Sequence, residues 1–267
     1  MAPNKRALCV GINDYPGTGN NLYGCVNDAN DWASLLVECF GFKQDNITLL
    51  TDALATRLNI LSALTDLVID AGPGDVIVFT YAGHGTYIPD QDGDEPDNRD
   101  EALFVHDGKL PDDELRIRLS QIEPRAHLTV ISDSCHSGTI TRKMLTSGID
   151  INCEALQNVM RARFMPLQSN NCNMALPIRK RFLYPEYGMP EVLLTGCNAG
   201  ESAYDAYIND RYNGIMTAAA VQLIRSNPKQ TFRELHRNLR RKLPSKYYPQ
   251  SPQLEGSDQN KNRQLFT

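Results

Sequence analysis

Two side chains capable of chemistry each follow a short apolar run in this sequence. The stretch "FTYAGHGTY" carries His84, and the stretch "VISDSCHSG" carries Cys135. A cysteine acts as a nucleophile when its thiolate is populated, for example by a neighbouring imidazole. Glycines in both stretches let another backbone approach closely, because they have no side chain. Together the stretches predict a site in which His84 is the base and Cys135 is the nucleophile.

Each of these residues also has a simpler interpretation when it is taken alone. A buried cysteine at a strand end is more often a packing residue than a nucleophile, and a lone histidine is more often structural. His136 is a second candidate base, but adjacent side chains on an extended chain point apart, so His84 is favoured. The backbone N–H groups of Gly85 and Cys135 are candidates for an oxyanion hole, which stabilises negative charge on a carbonyl oxygen.

The segments that must position these residues alternate between strand and helix patterns. The predicted strands are "RALCVGI", "NITLLTD", "GPGDVIVFTYAGHG", "ALFVHD", "HLTVISDSC", "EVLLTGC" and a last edge strand, "SPQLEGS". The predicted helices are "NDANDWASLLVECFGF", Arg57–Ala71, "PDDELRIRLSQI", "GIMTAAAVQLIRS" and "TFRELHRNLRRKL". Repeated β–α units predict an α/β fold, an α/β/α sandwich with a mostly parallel central sheet. Sites in such sheets form at the carboxyl ends of the strands, where His84 and Cys135 fall.

The bulk properties exclude some classes of function. The net charge of −5 lacks the basic footprint of a nucleic-acid-binding protein. No apolar run is long enough for a signal peptide or a membrane span. The seven cysteines contain no CxxC pair, which is typical of free thiols in a reducing compartment. We therefore expect a cytoplasmic protein that binds neither nucleic acid nor membrane.

The two motifs, "YAGHG" and "DSCHSG", resemble those of the metacaspases and orthocaspases, which are caspase-like cysteine peptidases. The stretches "ALCVGINDYPG", "LYGCVNDAND", "LLTGCNAGESAYDA", "GIMT" and "PQSPQLEGS" are also similar to that family. In caspases the histidine precedes the cysteine by about fifty residues, as it does here. The resemblance implies a caspase–haemoglobinase fold and a His84/Cys135 dyad. It implies one peptidase domain over 1–267, with a large-subunit-like region (1–138), an inter-subunit loop (139–190) and a small-subunit-like region (191–267).

The resemblance also implies cleavage after arginine or lysine, which requires carboxylates in the specificity pocket. The pocket positions of the family fall on Asp28, Asp133 and Cys25, and on Ala82 where the family usually has serine. Taken alone, Asp28 would suit the N-cap of the first helix. Asp133 alone would suit a satisfied carboxylate at a strand end.

Calcium dependence is a further implication of the resemblance. No cofactor is expected for the chemistry itself, but many family members need Ca²⁺ as an activator, and the ligand positions match Asp100, Asp112 and Asp113. Another ligand position falls on Arg142, whose charge opposes calcium, so the requirement stays open here. The acidic stretch "DQDGDEPD" lacks the spacing of an EF-hand loop.

The loop 139–190 has no clear periodicity and is too long for an ordinary connection. In the family such loops are often cut by the enzyme itself after a basic residue. The candidates are Arg142, Lys143, Arg161, Arg163, Arg179, Lys180 and Arg181. The predicted partners are protein or peptide substrates with arginine or lysine before the scissile bond, and the resemblance favours a monomer. A catalytically idle caspase-like adaptor and a calcium-binding regulatory module are the alternatives.

Overall fold

The computed structural model describes residues 3–89, 99–135, 160–166, 189–198 and 200–267. Along these ranges the strands are β1 (Lys5–Gly11), β2 (Ile47–Thr51), β3 (Val76–Ala82), β4 (His84–Pro89), β5 (Arg99–Val105), β6 (Gly108–Pro111), β7 (His127–Asp133), β8 (Met160–Ala162), β9 (Glu191–Thr195), β10 (Tyr204–Ile208), β11 (Arg211–Gly214) and β12 (Gln253–Glu255). The helices are α1 (Cys25–Phe40), α2 (Arg57–Ile69), α3 (Asp112–Leu119), α4 (Ile215–Ser226), α5 (Phe232–Lys242) and α6 (Asp258–Lys261).

A six-stranded sheet forms the centre of the molecule, in the order β12-β9-β7-β3-β1-β2. All neighbouring pairs in it are parallel except β12 and β9, which are antiparallel. The inner strands β1, β3 and β7 are short, apolar and mostly buried, as parallel strands covered on both faces must be. The prediction of an α/β fold with a mostly parallel sheet is therefore confirmed, and β12 is the predicted last edge strand.

Helices cover both faces of this sheet, and the sheet separates the apolar core into two clusters. On one face, α1, α4 and α5 contribute Trp32, Met216 and Leu235 to a buried apolar cluster. On the other face, α2 and α3 contribute Leu64 and Leu115 to a second cluster. Alternate residues of the central strands enter the two clusters because successive side chains of a strand point to opposite faces.

The first helix shows how the local sequence sets the element bounds. Gly41 follows α1 in the left-handed conformation, with φ of 70°, and its N–H donates to the Leu36 carbonyl. Glycine adopts this conformation without a steric cost, so it ends the helix where the sequence predicts. At the other end the N-cap is Gly24, with no side-chain cap bond, and Asp28 lies in the first turn. The interpretation of Asp28 as an N-cap is therefore wrong.

Two small sheets lie beside the central one. Strands β4, β5 and β6 form an antiparallel sheet, and β4 follows β3 after the single residue Gly83. Strands β11, β10 and β8 form another, in which β10 pairs with both neighbours in antiparallel fashion. The strand patterns of the sequence do not predict β4, β6, β8, β10 or β11. Within the described ranges, no helix combines the length and the apolar character that a membrane span requires.

Candidate active site

The site lies at the carboxyl ends of β3 and β7, which are neighbours in the central sheet. Their parallel register pairs Ala82 with Asp133, the last residues of the two strands. His84 and Cys135 each follow two residues later, so the sheet brings both to the same edge. Gly85 packs directly against the backbone of Cys135. The approach is so close that a Cβ at Gly85 would overlap the Cys135 carbonyl oxygen. Only glycine fits this close approach.

The imidazole of His84 is buried and held through one ring nitrogen. Nε2 lies 2.6 Å from the carbonyl oxygen of Asn20. A carbonyl only accepts, so in the neutral ring Nε2 carries the hydrogen and Nδ1 keeps its lone pair. Nδ1 is buried and has no hydrogen-bond partner among the described residues. Burial lowers the pKa of His84 to about 4, so the ring is a neutral base at physiological pH.

The thiol of Cys135 is fully buried beside a second cysteine. The Ala203 N–H donates to Cys135 Sγ at 3.0 Å, and Sγ lies 3.4 Å from the Ala203 carbonyl oxygen. Cys197 packs in the same small cluster, together with Phe164. The Cys135 side chain raises the pKa of the Cys197 thiol, and burial raises it further, so Cys197 is a protonated neighbour.

A short piece of the predicted inter-subunit loop passes through this site. The carbonyl oxygen of Arg163 accepts hydrogen bonds from the Gly85 N–H at 2.9 Å and from the Cys135 N–H at 3.1 Å. These are the two amides that the sequence analysis proposes for an oxyanion hole.

The side chain of Arg163 is fully buried in a pocket of three carboxylates. Its Nη2 atom lies 2.5 Å from Asp28 Oδ2 and 3.0 Å from Asp205 Oδ1. Its Nη1 atom lies 3.3 Å from Asp133 Oδ2 and donates to the Asp133 carbonyl at 3.0 Å. Burial alone would lower the pKa of Arg163, but attraction by its acidic neighbours, which include these three carboxylates, raises it well above the usual value. The guanidinium therefore stays charged.

Each carboxylate is fixed by donors other than Arg163. Asp28 accepts from the Gly214 N–H at 3.0 Å, and Asp133 accepts from the Thr217 hydroxyl at 2.7 Å. Asp205 accepts from the Tyr23 N–H at 2.8 Å. Burial raises the pKa of Asp28 to about 7, Arg163 opposes this rise, and repulsion from Asp133 adds to it. The pocket thus holds more negative charge than one guanidinium neutralises.

Comparison with known proteins identifies the family to which this arrangement belongs. The model of the metacaspase, peptidase C14 domain, matches residues 5–143. The chain belongs to the metacaspases. It is 32% identical to Metacaspase-1 of Cryptococcus neoformans over 98% of its own length and 64% of that protein. It is 31% identical to Metacaspase-1 of Kluyveromyces lactis, over 95% of the chain and 66% of that protein.

Similarity to other metacaspases and to a solved structure extends over almost the whole chain. Metacaspase-1A of Aspergillus oryzae is 33% identical, over 95% of this chain and 68% of the relative. The chain therefore spans about two thirds of the length of these curated relatives. A crystal structure of a Geobacter sulfurreducens protein superimposes with a TM-score of 0.74 at 26% identity, covering 99% of both chains. The caspase-like fold predicted from the sequence is confirmed.

Most of the site residues predicted for this metacaspase lie together. His84, Cys135 and Gly85 meet at one sheet edge, and Asp28 and Asp133 share the pocket around Arg163. Cys25 is buried close enough for Arg163, Asp28 and Asp133 to act on its pKa, which burial raises well above the usual value. Ala82 is buried at the end of β3.

Asp205 is the pocket residue that the sequence analysis missed. It lies in "LLTGCNAGESAYDA", a stretch noted for its resemblance to metacaspases but given no role. The available signal was an acidic residue within a stretch that resembles the family.

The predicted calcium ligands lie in β5 and at the start of α3. Ala102 pairs with Pro111 in the β5–β6 register, which puts Asp100, Asp112 and Asp113 at the same end of the strand pair. Arg116 binds Asp112 and Asp113, each at 3.0 Å. Among the residues that the structure describes, no three acidic, histidine or cysteine side chains come together as metal ligands. Arg142, His136, most of the acidic stretch 90–101 and the basic residues at 143 and 179–181 lie outside the described residues.

Proposed function

We propose that this metacaspase is a cysteine endopeptidase that cleaves proteins and peptides after arginine or lysine. One observation carries the proposal: Arg163 buries its guanidinium among three carboxylates while its carbonyl oxygen accepts from the Gly85 and Cys135 amides. A peptide bound in this way presents the carbonyl carbon of a basic residue to the sheet edge that carries a thiol and an imidazole. Membership of the metacaspases supports the same chemistry.

The reaction uses groups of this chain alone. His84, neutral in the free enzyme, takes the proton of the Cys135 thiol as Sγ attacks the carbonyl carbon of the arginine residue, and negative charge moves to the carbonyl oxygen. The amides at 2.9 and 3.1 Å stabilise that charge. The C–N bond breaks as protonated His84 donates its proton to the leaving amine, and a thioester remains. His84 then takes a proton from water, which hydrolyses the thioester and restores the thiol.

The pocket supports selectivity for a positive side chain. Asp28, Asp133 and Asp205 are buried, so a neutral or acidic substrate residue in the pocket would leave their charges unpaired. The free-energy cost of such unpaired buried charges is about 3 kcal/mol. Arginine presents two terminal nitrogens in one plane and reaches all three acids. Lysine carries the same charge on one nitrogen, so we expect both to be accepted and arginine to be preferred.

Self-processing in the loop 139–190 is part of this proposal. Of the seven basic candidates, Arg161 and Arg163 are described by the structure, and Arg163 is the one in the pocket. Its carbonyl oxygen accepts from both candidate oxyanion-hole amides. This arrangement supports the bond between Arg163 and Phe164 as the one that the enzyme cuts in its own chain.

Calcium activation stays a prediction. Asp100, Asp112 and Asp113 lie at one end of a strand pair and could supply oxygen ligands, but Arg116 already binds two of them. A calcium ion at this place must displace the guanidinium of Arg116. The site would then act on the enzyme from outside the pocket.

The proposal is tested with the full chain and three fluorogenic peptides that end in arginine, lysine or aspartate. We expect cleavage of the first two, measured with calcium and with a chelator. Replacing Cys135 with alanine should lower the rate by about 10⁴-fold or more, because nucleophile and base act as a unit. Mass spectrometry of the purified chain should find a cut after Arg163 in the parent and an intact chain in Cys135→Ala.

Cys39 provides the matched control, since it is a free cysteine on α1 that has no part in the proposed site. Cys39→Ala should cleave at the parent rate. Normal cleavage by Cys135→Ala would refute the assignment of the nucleophile. If the parent cleaves no peptide under either condition, the idle adaptor replaces the endopeptidase as the better proposal.

A further inference from the structure

Cys197 is a second thiol beside Cys135, and the proposed cleavage makes no use of it. We propose that the two cysteines form a reversible oxidation site, in which a hydroperoxide oxidises Cys135 and Cys197 then closes a disulfide bond with it. The disulfide blocks the nucleophile and protects its sulfur from irreversible oxidation. This inference goes beyond the proposed function, and it does not require that the chain cleaves peptides.

The central sheet brings the two cysteines together. β7 and β9 are parallel neighbours, and their register pairs Ser132 with Thr195. Cys135 lies three residues after the first member of this pair, and Cys197 lies two residues after the second. The pairing continues past the end of β9, because the Gly196 N–H donates to the Ser132 carbonyl at 2.9 Å. Neighbouring strands lie about 4.8 Å apart and disulfides join α-carbons about 4.4 to 6.8 Å apart, so this register suits the bond.

The sulfur of Cys135 lies on the side of Cys197. The Ala203 N–H donates to Cys135 Sγ at 3.0 Å, and both cysteines pack in one cluster with Ala203. His84 Nδ1 has no hydrogen-bond partner among the described residues, so the Cys135 thiol is not bonded to the imidazole here. Cys197 Sγ lies 3.8 Å from the carbonyl oxygen of Ser134, the residue before Cys135. Both thiols are free and close enough to hydrogen-bond to each other.

The reaction balances with a hydroperoxide as the oxidant. The sulfur of Cys135 attacks the O–O bond, an S–O bond forms as the O–O bond breaks, and the thiol proton ends on the leaving oxygen. Cys135 becomes a sulfenic acid, oxidised by two electrons, and the peroxide is reduced to water or an alcohol. The Cys197 sulfur then attacks the sulfenic sulfur. An S–S bond forms, the S–O bond breaks, and the hydroxyl group leaves as water with the Cys197 proton. A dithiol reduces the disulfide and restores both thiols.

The surroundings of the two thiols set the order of these steps. Cys135 and burial hold the pKa of Cys197 well above its usual value, so its thiolate is scarce and Cys197 does not react with peroxide first. Cys135 can pass its proton to His84, whose ring is a neutral base because burial lowers its pKa to about 4. The second step joins groups that are already in contact, so a small thiolate fraction of Cys197 is sufficient.

The experiment treats the purified full chain with hydrogen peroxide, blocks the remaining thiols with an alkylating reagent, and maps disulfides by mass spectrometry of a digest. We expect peptides linked through Cys135 and Cys197, which disappear after treatment with dithiothreitol. This measurement needs neither a substitution nor peptidase activity. A bond from Cys135 to another cysteine, oxidation of Cys135 to sulfinic acid without a disulfide, or an unoxidised Cys135 would each refute the pair.

Self-processed chains offer a second readout. A cut after Arg163 leaves Cys135 in the fragment before the cut and Cys197 in the fragment after it. Peroxide should therefore join the two fragments on a non-reducing gel, and dithiothreitol should separate them. The fragments of Cys197→Ser should stay separate in both lanes. Joined fragments in Cys197→Ser would show that a different pair of cysteines carries the bond.

Cys197→Ser and Cys39→Ser form a matched pair of variants, because Cys39 is a free cysteine on α1 outside this cluster. After peroxide and then dithiothreitol, the fraction of Cys135 recovered as free thiol should be about 5-fold larger in the parent and in Cys39→Ser than in Cys197→Ser. In Cys197→Ser the sulfenic acid has no neighbouring thiol and proceeds to sulfinic acid. Equal recovery in all three chains contradicts the role of Cys197. A parent that forms the disulfide but cleaves no peptide keeps the oxidation site and loses the endopeptidase.

Discussion

Two clusters of acidic residues in this protein are each bound by one arginine, but they are built in opposite ways. In the pocket, Asp28, Asp133 and Asp205 come from distant parts of the chain and meet the fully buried Arg163. At the surface, Asp112 and Asp113 meet Arg116 within a single turn of α3, where the side chains are about one third exposed.

The difference lies in what satisfies each set of charges. Water and a local neighbour satisfy the surface acids, so that ion pair contributes about 1 kcal/mol or less. The buried acids have no such access to water, and their partner comes from a segment 30 residues away from Asp133 along the chain. A buried charge without a partner is costly, so the pocket demands a cation and the surface cluster does not. In the proposed function, that demand makes the pocket selective for a basic side chain.

The largest expected effect comes from removing each arginine in a Cys135→Ala background, which keeps the chain uncut. Arg163→Gln should lower the free energy of unfolding by about 3 kcal/mol, and Arg116→Gln by about 1 kcal/mol or less. The loss for Arg163→Gln should be larger at pH 8 than at pH 5. Asp28, whose pKa burial raises to about 7, is protonated at the lower pH and then needs no cation.

Denaturant titrations of the two variants and their common parent measure these losses. Equal losses for both arginines, or a larger loss for Arg163→Gln at the lower pH, would remove the contrast between the clusters.

A smaller effect is expected on cleavage when the acids themselves are neutralised. Asp28→Asn or Asp205→Asn should lower kcat/KM for an arginine peptide by about 100-fold, because each removes one partner of a buried charge. With a chelator present, so that the predicted calcium site plays no part, Asp113→Asn at the surface should change it by less than about 2-fold. Steady-state kinetics give the values, and thermal unfolding checks that each variant is folded. A pocket variant with parent kinetics would exclude its aspartate from specificity.

A tenfold effect should follow from keeping the charge but changing its shape. Arg163→Lys puts a single ammonium where two guanidinium nitrogens reach three carboxylates, so self-cleavage should slow by about 10-fold rather than stop. The half-life of the intact chain is the measurement. Arg161→Lys keeps the cation outside the pocket and should process within about 3-fold of the parent rate. If Arg163→Lys is cut at the parent rate, the planar fit has no role.

The smallest effect concerns the surface cluster and calcium. Arg116→Gln removes a cation that competes for Asp112 and Asp113, and should tighten calcium binding by about 5-fold, equivalent to about 1 kcal/mol. Isothermal titration calorimetry on both chains measures the change. If neither chain binds calcium, the predicted activator site is wrong.

The sequence predicts those parts of the site that follow from strand ends. His84, Gly85, Cys135 and Asp133 each follow or end a short apolar run, and parallel strands bring such ends together. The helices and the central strands could also be predicted, because their patterns of apolar residues are regular and local.

The parts that could not be predicted depend on partners far along the chain. β8 covers only Met160–Ala162 and exists as a strand because it pairs with β10, so no local periodicity marks it. The β10–β11 hairpin did leave a signal that was overlooked. Asn209 and Asp210 have φ of 50° and 63° at its turn, and this residue pair between aromatic runs is typical of such turns.

The bond between Arg163 and Phe164 joins a polar pocket to an apolar one. Cutting it would replace one neutral amide with a carboxylate on Arg163 and an ammonium group on Phe164. The new anion would lie near three acids, and the new cation among Cys135, Cys197 and Ala203. Both ends would seek water. If the enzyme cuts its own chain here as proposed, ionisation would favour the release of both product ends, and the first turnover would free the groove for other peptides.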